Sequence, residues 1–236
     1  MFTDVSKDSF AYRAIEWAQK NGIIAGFPDG TFRPAEPVTR EQMALLFYKL
    51  SLRDGTFTDI LPDIMKSVVL VNVGAGLGSG VCFKNDGPNS YILTNAHVVN
   101  AGSSYTIIKD SYPNMIASLV KKDNAVDLAI LRVNRVYPSC ILATSPAVAG
   151  QPVCVCGSPS GLSDSVSVGL VSHVNRNDGL WFQTDAHINP GNSGGGVFNE
   201  SGELAGISVA KMSDPLIDGI GFGIKLEHVK TFIQGV

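Results

Sequence analysis

SVVLVNVGAGLGSGVCFKNDGPNSYILTNAHVV, residues 67–99, holds three short apolar runs, SVVLVNV, GVCF and YILT, separated by glycine, asparagine, aspartate and proline. Runs rich in β-branched and aromatic residues between turn formers read as strands. The same grain continues to the end of the chain through SYTIIK, MIASLV, LAILRV, PVCVCG, SVGLVSHV, LWFQTD, GGVF, LAGISVA and GFGIK. About a dozen short strands, with no long helical crossover of the kind parallel strands require, predict an all-β barrel or pair of barrels. A short helix over Leu226, Val229, Phe232 and Ile233 is expected to close it.

Upstream of residue 67 the grain changes. Of the 25 glycines, 21 lie from residue 67 onward, so the first part lacks the punctuation of a β protein and reads as helical. Ala11, Ala14, Ile15 and Ala18 fall on one helical face behind the capping candidates Asp8 and Ser9, with Gly22 as a stop. GFPDGTFRP supplies a turn at Asp29 and Gly30. Thr39 with Gln42 then makes a capping box before Met43, Leu46, Phe47 and Leu50. Two helices around a turn bury little apolar surface, so this unit is expected to lean on a partner copy or on the larger domain. Residues 53–66, with Gly55 and Pro62, read as a linker. Within them FTDI at 57–60 echoes FTDV at 2–5, as a remnant of a second module would. The expected organisation is a helical module over 1–52, a linker over 53–66 and a β domain over 67–236.

Composition narrows the function. The 18 basic and 21 acidic residues are scattered without blocks and leave a net charge of −3, which argues against nucleic acid as a partner. No run reaches the roughly 18 apolar residues of a spanning helix, and no basic start is followed by an apolar export segment. Four cysteines are too few for a disulfide scaffold, and CVC at 154–156 is not a zinc spacing, so free buried thiols, no metal and no cofactor are expected. Cys154 and Cys156, two apart in a strand, should share a face.

Three segments each set one reactive residue beside a strand end: His97 in YILTNAHVV, Asp127 in DNAVDLAILRV and Ser193 in QTDAHINPGNSGGGVF. A serine hydroxyl is a weak nucleophile near neutral pH and needs an imidazole to take its proton. His97 suits that role, and Asp127, heading an apolar strand, suits the carboxylate that fixes the imidazole's tautomer. The glycines of GNSGG let the amides of Gly191, Asn192 and Ser193 face one point, where an oxyanion forms.

Together SVVLV, GLGSGVCF, TNAHVV, DLAILRV, CGSPSGLSDSVSVGLVS, WFQTDAHINPGNSGG and GIGFGIKLEHVK resemble the HtrA/Deg branch of trypsin-like serine proteases over about 67–236. The resemblance implies a chymotrypsin-like all-β double barrel acting on protein or peptide substrates. In it His97 is base, Asp127 orienting acid and Ser193 nucleophile, while His187, Ser208 and Ala210 bind substrate. His187 stands where relatives carry a small residue, at the expected floor of the primary specificity pocket. Only 43 residues follow Ser193, so the PDZ module of many relatives is not expected.

FTDV at 2–5, AIEWAQKNGIIAGFPDGTFRP at 14–34 and VTREQMA at 38–44 resemble one S-layer homology (SLH) module. That resemblance implies attachment to anionic cell-wall polysaccharide through Asp4, Trp17 and Arg40, and hence a bacterial cell-surface location. Read from the residues alone, Arg40 is equally a solvated helix-start residue and Trp17 a core side chain. The leading expectation is a wall-tethered serine endopeptidase. The alternatives are a catalytically silent protease-like fold used for wall binding or surface assembly, and a cytoplasmic stress protease.

Overall fold

The computed structural model describes residues 2–20, 23–51, 57–110, 112–158, 165–209 and 220–236, with the backbone alone at 47–51. It divides into two compact units, Met1–Thr56 and Phe57–Val236.

The first unit carries helices α1 (Tyr12–Lys20) and α2 (Arg40–Ser51). Phe2, Val5 and Ile15 form its small core, with Ala11, Tyr12, Ile24 and Phe32 packed around them. The expected capping box is present: Thr39 N–H donates to Gln42 Oε1 at 2.9 Å, and Gln42 N–H donates to Thr39 Oγ1 at 3.1 Å. In the 27–31 turn, Asp29 accepts hydrogen bonds from the Thr31 hydroxyl and amide and from Arg33, which hold its carboxyl down at about 2.

The second unit begins with α3 (Phe57–Ser67), where the sequence reading has most of its linker. Phe57, Ile60, Leu61, Ile64 and Met65 recur at helical spacing, and Phe57, Ile64 and Met65 are buried against the β domain. The FTDI echo therefore opens a helix, whereas FTDV at 2–5 lies in turn and loop, so the two copies share residues but not conformation.

Strands β1 (Val68–Asn72), β2 (Leu77–Asp86), β3 (Asn89–Thr94), β4 (Tyr105–Ile108), β5 (Met115–Asp123) and β6 (Leu128–Val133) close into a six-stranded antiparallel barrel in the order β1-β2-β3-β6-β5-β4. The short helix α4 (Ala96–Asn100) follows β3. After β7 (Ile141–Leu142), strands β8 (Pro152–Gly157), β9 (Ser165–Arg176), β10 (Trp181–Thr184), β11 (Gly196–Asn199), β12 (Glu203–Val209) and β13 (Gly221–Lys225) form a second barrel in the order β11-β8-β9-β10-β13-β12, closed by β11 on β12. β7 adds in parallel to the start of β12, and α5 (Leu226–Ile233) follows β13.

Strand alternation builds three apolar clusters from these strands. Along β6, Ala129, Leu131 and Val133 fill the first barrel, while Leu128 and Ile130 join a cluster shared with the second. Along β8, Val153 and Val155 fill the second barrel, while Cys154 and Cys156 join that shared cluster with their sulfurs 3.8 Å apart. None of the four cysteines is in a disulfide. Three lysines anchor α5 and the residues that follow it. Lys84 and Lys121 of the first barrel donate to the carbonyls of Val236 and Phe232 at 2.9 and 2.6 Å, and Lys230 donates to that of Ala143 at 2.7 Å.

Candidate active site

Asp127 and His97 meet at the end of the first barrel. The run DLAILRV makes β6, and Asp127, just before it, takes the left-handed conformation at φ 59° that aspartate tolerates better than most residues. Asn95, in extended conformation ahead of α4, donates from Nδ2 to the Asp127 carbonyl at 2.9 Å. The Asp127 carboxylate is thereby set against α4 and used twice. One oxygen accepts the His97 backbone N–H at 2.9 Å, and the other lies 2.8 Å from His97 Nδ1. A carboxylate only accepts, so Nδ1 carries the proton and Nε2 of the neutral ring presents a lone pair.

Ser193 lies in a turn at the entry to β11. Pro190 and Gly191 are the central residues of a type II turn: Gly191 has φ 100°, and Asn192 N–H donates to the Asn189 carbonyl at 2.9 Å. The Asn192 amide is thus spent within the turn, whereas the sequence reading aims it at an oxyanion beside those of Gly191 and Ser193. Gly194, at φ 84°, packs against the start of the histidine segment. A Cβ there would sit 2.3 Å from both the Ser79 carbonyl oxygen and Thr94 Oγ1, and 3.0 Å from Asn95 N. Only glycine permits this approach of the serine turn to the residues that lead into His97.

The remaining expected residues take other positions. His187 is exposed, while the next residue, Ile188, is half-buried beside the second barrel's core and would meet a Cβ on Gly221 at 2.7 Å. Ser208 faces inward. Its hydroxyl donates to the carbonyls of Asn192 and Gly195 at 2.6 and 3.1 Å, and its own carbonyl accepts the Gly194 N–H at 3.0 Å, so it braces the serine turn. Ala210 lies outside the described residues. In the first unit both Asp4 oxygens are occupied by the amides of Phe32 and Arg33, each at 2.7 Å, and these bonds lower its pKa. Trp17 is exposed rather than in the core, and Arg40 is exposed at the start of α2. The sequence signals absent for Ile188 and Ser208 are spatial, since both depend on which strand lies next to which. Among the described residues no group of three or more His, Cys, Asp or Glu side chains comes together as a metal site, and no helix is long and apolar enough to cross a membrane.

Comparison with known proteins fits this geometry. Residues 78–207 match the trypsin-like peptidase domain, and residues 2–44 match the S-layer homology domain. The serine protease Do-like HtrA of Bacillus subtilis (strain 168) is 37% identical over 175 residues, covering 68% of this chain and 39% of that protein. A serine protease HtrA-like of Staphylococcus aureus (strain USA300) is 34% identical over 177 residues, covering 67% of this chain and 23% of that protein. The chain thus spans well under half the length of these curated relatives. The crystal structure of the serine endoprotease from Yersinia pestis superposes with a TM-score of 0.66 at 32% identity, covering 75% of this chain and 64% of that one. Two closed antiparallel barrels, a carboxylate-held histidine and a glycine-rich serine turn therefore place the chain in the trypsin-like peptidase family, in its HtrA-type branch of serine endopeptidases, behind an S-layer homology domain.

Proposed function

We propose that this chain hydrolyses peptide bonds through an acyl-enzyme on Ser193. The observation that carries the reading is the double hold of Asp127 on His97. A ring fixed with its proton on Nδ1 has one job left for Nε2, the acceptance of a proton from a nucleophile. Ser193 Oγ attacks the carbonyl carbon as His97 takes its proton. The oxygen that becomes negative is met by the amides of Gly191 and Ser193, preorganised by the Pro190–Gly191 turn. Collapse breaks the C–N bond, the leaving amine takes the proton from His97, and water repeats the sequence to free the acid. Ile188, rather than the exposed His187, lines the pocket for the side chain on the acyl side, which favours aliphatic residues.

The first unit supplies attachment to anionic cell-wall polysaccharide, and so a cell-surface location. Arg40 and Trp17 are the contacting residues, while Asp4 holds the Phe32–Arg33 backbone of the unit. Reaction with a fluorophosphonate and mapping of the adduct tests the catalytic reading: a stoichiometric adduct on Ser193, lost with hydrolysis in Ser193→Ala, is expected, and undiminished hydrolysis by that variant refutes it. Retention on purified wall fragments should fall in Arg40→Ala; unchanged retention removes Arg40 from the binding role.

A further inference from the structure

Ser79 stands in the glycine-rich run GLGSG at the start of β2, where a serine reads as turn chemistry, yet its side chain is fully buried. Its polar groups reach four residues in three separate segments. The hydroxyl donates to the Gly191 carbonyl at 2.7 Å and accepts the Ser158 N–H at 2.8 Å. Its backbone N–H donates to the Ser193 carbonyl at 2.8 Å, and its backbone carbonyl accepts the Thr94 hydroxyl at 2.7 Å. One residue of the first barrel therefore grips both residues of the second barrel to which the reading above assigns the oxyanion-binding amides, and Thr94, which leads through Asn95 to His97.

We propose that Ser79 is a positioning residue for the oxyanion-binding turn, an inference that rests on the hydrolytic reading above. Gly191 is the most conformationally free residue of the turn, and its φ of 100° is shared by no side-chain-bearing residue there. Two bonds hold the peptide that follows it: Asn192 N–H to the Asn189 carbonyl on one side, and the Ser79 hydroxyl to the Gly191 carbonyl on the other. With that plane pinned at both ends and the φ of Pro190 locked by its ring, the direction of the Gly191 N–H is set before substrate arrives. Donors fixed in advance are worth most where charge appears only in the transition state, so the hydroxyl of Ser79 acts on the rate of bond making and not on substrate binding. The Ser158 amide keeps the hydroxyl proton pointed at Gly191, since it occupies the oxygen as an acceptor.

The test compares the full chain with Ser79→Ala and Ser79→Cys, counting active sites by fluorophosphonate adduct at completion. A fluorogenic peptide with valine on the acyl side and a peptide boronate of the same sequence are the probes. Removal of a whole oxyanion donor costs roughly 10²–10³ in kcat, so a loss of its support should cost about 10–100-fold. Expected for Ser79→Ala is that fall in kcat per labelled site, an equal fall in boronate affinity, and KM within about twofold, because uniform binding is untouched. Ser79→Cys, near in shape with a weaker donor, should lie between. It also decides the matter if the alanine variant does not fold. Wild-type kcat per labelled site in the folded variants overturns the proposal, as does a loss confined to the number of labelled sites. Hydrolysis surviving in Ser193→Ala instead overturns the reading beneath it, so the two failures are distinct.

Discussion

Asp127→Asn isolates tautomer control from structure. Asparagine accepts the left-handed backbone at φ 59° as readily as aspartate and matches it in shape, so the fold at the start of β6 should persist. Its amide has one acceptor and one donor end where the carboxylate has two acceptors. The His97 backbone N–H, 2.9 Å from one oxygen, cannot give up its proton, so the asparagine oxygen must face it. The NH₂ then faces the ring at the 2.8 Å position and requires Nδ1 to accept. The ring proton moves to Nε2, which can no longer take a proton from Ser193. A wrong-tautomer imidazole costs about 10⁴ in kcat in the well-studied triad, or about 5.5 kcal/mol of barrier. Thermal unfolding should shift by only a few degrees, since two charge-assisted hydrogen bonds are exchanged for neutral ones and none is lost. Steady-state kinetics and ¹⁵N spectra of labelled histidine provide the readouts. A kcat within tenfold of wild type, or a ring still protonated on Nδ1, refutes the argument.

Three further outcomes are expected. Gly157→Ala places a Cβ 2.7 Å from Ser79 Oγ and 2.9 Å from Asn192 Oδ1, so the serine turn must shift. Overpacking of about 1–3 kcal/mol, read as a fall in Tm of roughly 2–10 °C with a loss in kcat, is expected, and an unchanged Tm and kcat would contradict it. Burial pushes the Cys82 thiol to about 11 and the half-buried Cys140 thiol to about 12 from an ordinary 9.0. Because the neutral thiol is favoured in the fold, this stabilisation is complete below pH 9 and fades as pH rises through 11 to 12. Native protein at pH 8.5 should take iodoacetamide at Cys82 at a negligible rate and bind four equivalents in urea; rapid native labelling of Cys82 would count against it. Finally, Ile188→Ala should move preference on the acyl side toward larger apolar residues in a peptide library while His187→Ala leaves it unchanged. The reverse pattern would return the pocket to His187.

Local pattern carries much of this molecule. The strand runs give both barrels, the order of His97, Asp127 and Ser193 gives the chemistry, and Thr39 with Gln42 gives the start of α2. What escapes is set by neighbours in space. Helix α3 hides because Pro62 and flanking charges mask a helical stripe that becomes meaningful only against the β domain. Ser79 and Ser208 are small polar residues in runs that read as loop and strand, and their roles exist only once the barrels juxtapose them with the serine turn. His187 and Ile188 differ by one position. Sequence spacing alone does not say which of two adjacent side chains faces inward.

The lysine contacts of α5 and the residues after it bear on the mechanics of the cleft. His97 and Asp127 belong to one barrel and Ser193 to the other, so relative sliding of the barrels would change the distance over which the proton must jump. Lys121 reaches out of the first barrel to Phe232 of the helix that continues the last strand of the second, and Lys84 to Val236 just past that helix, while Phe232 and Val229 sink into the cluster between the barrels. The helix works as a clasp across the seam, adding to the hold that Ser79 and the shared apolar cluster already give the two barrels. A cut between β13 and α5 would leave every reacting atom in place yet loosen its alignment.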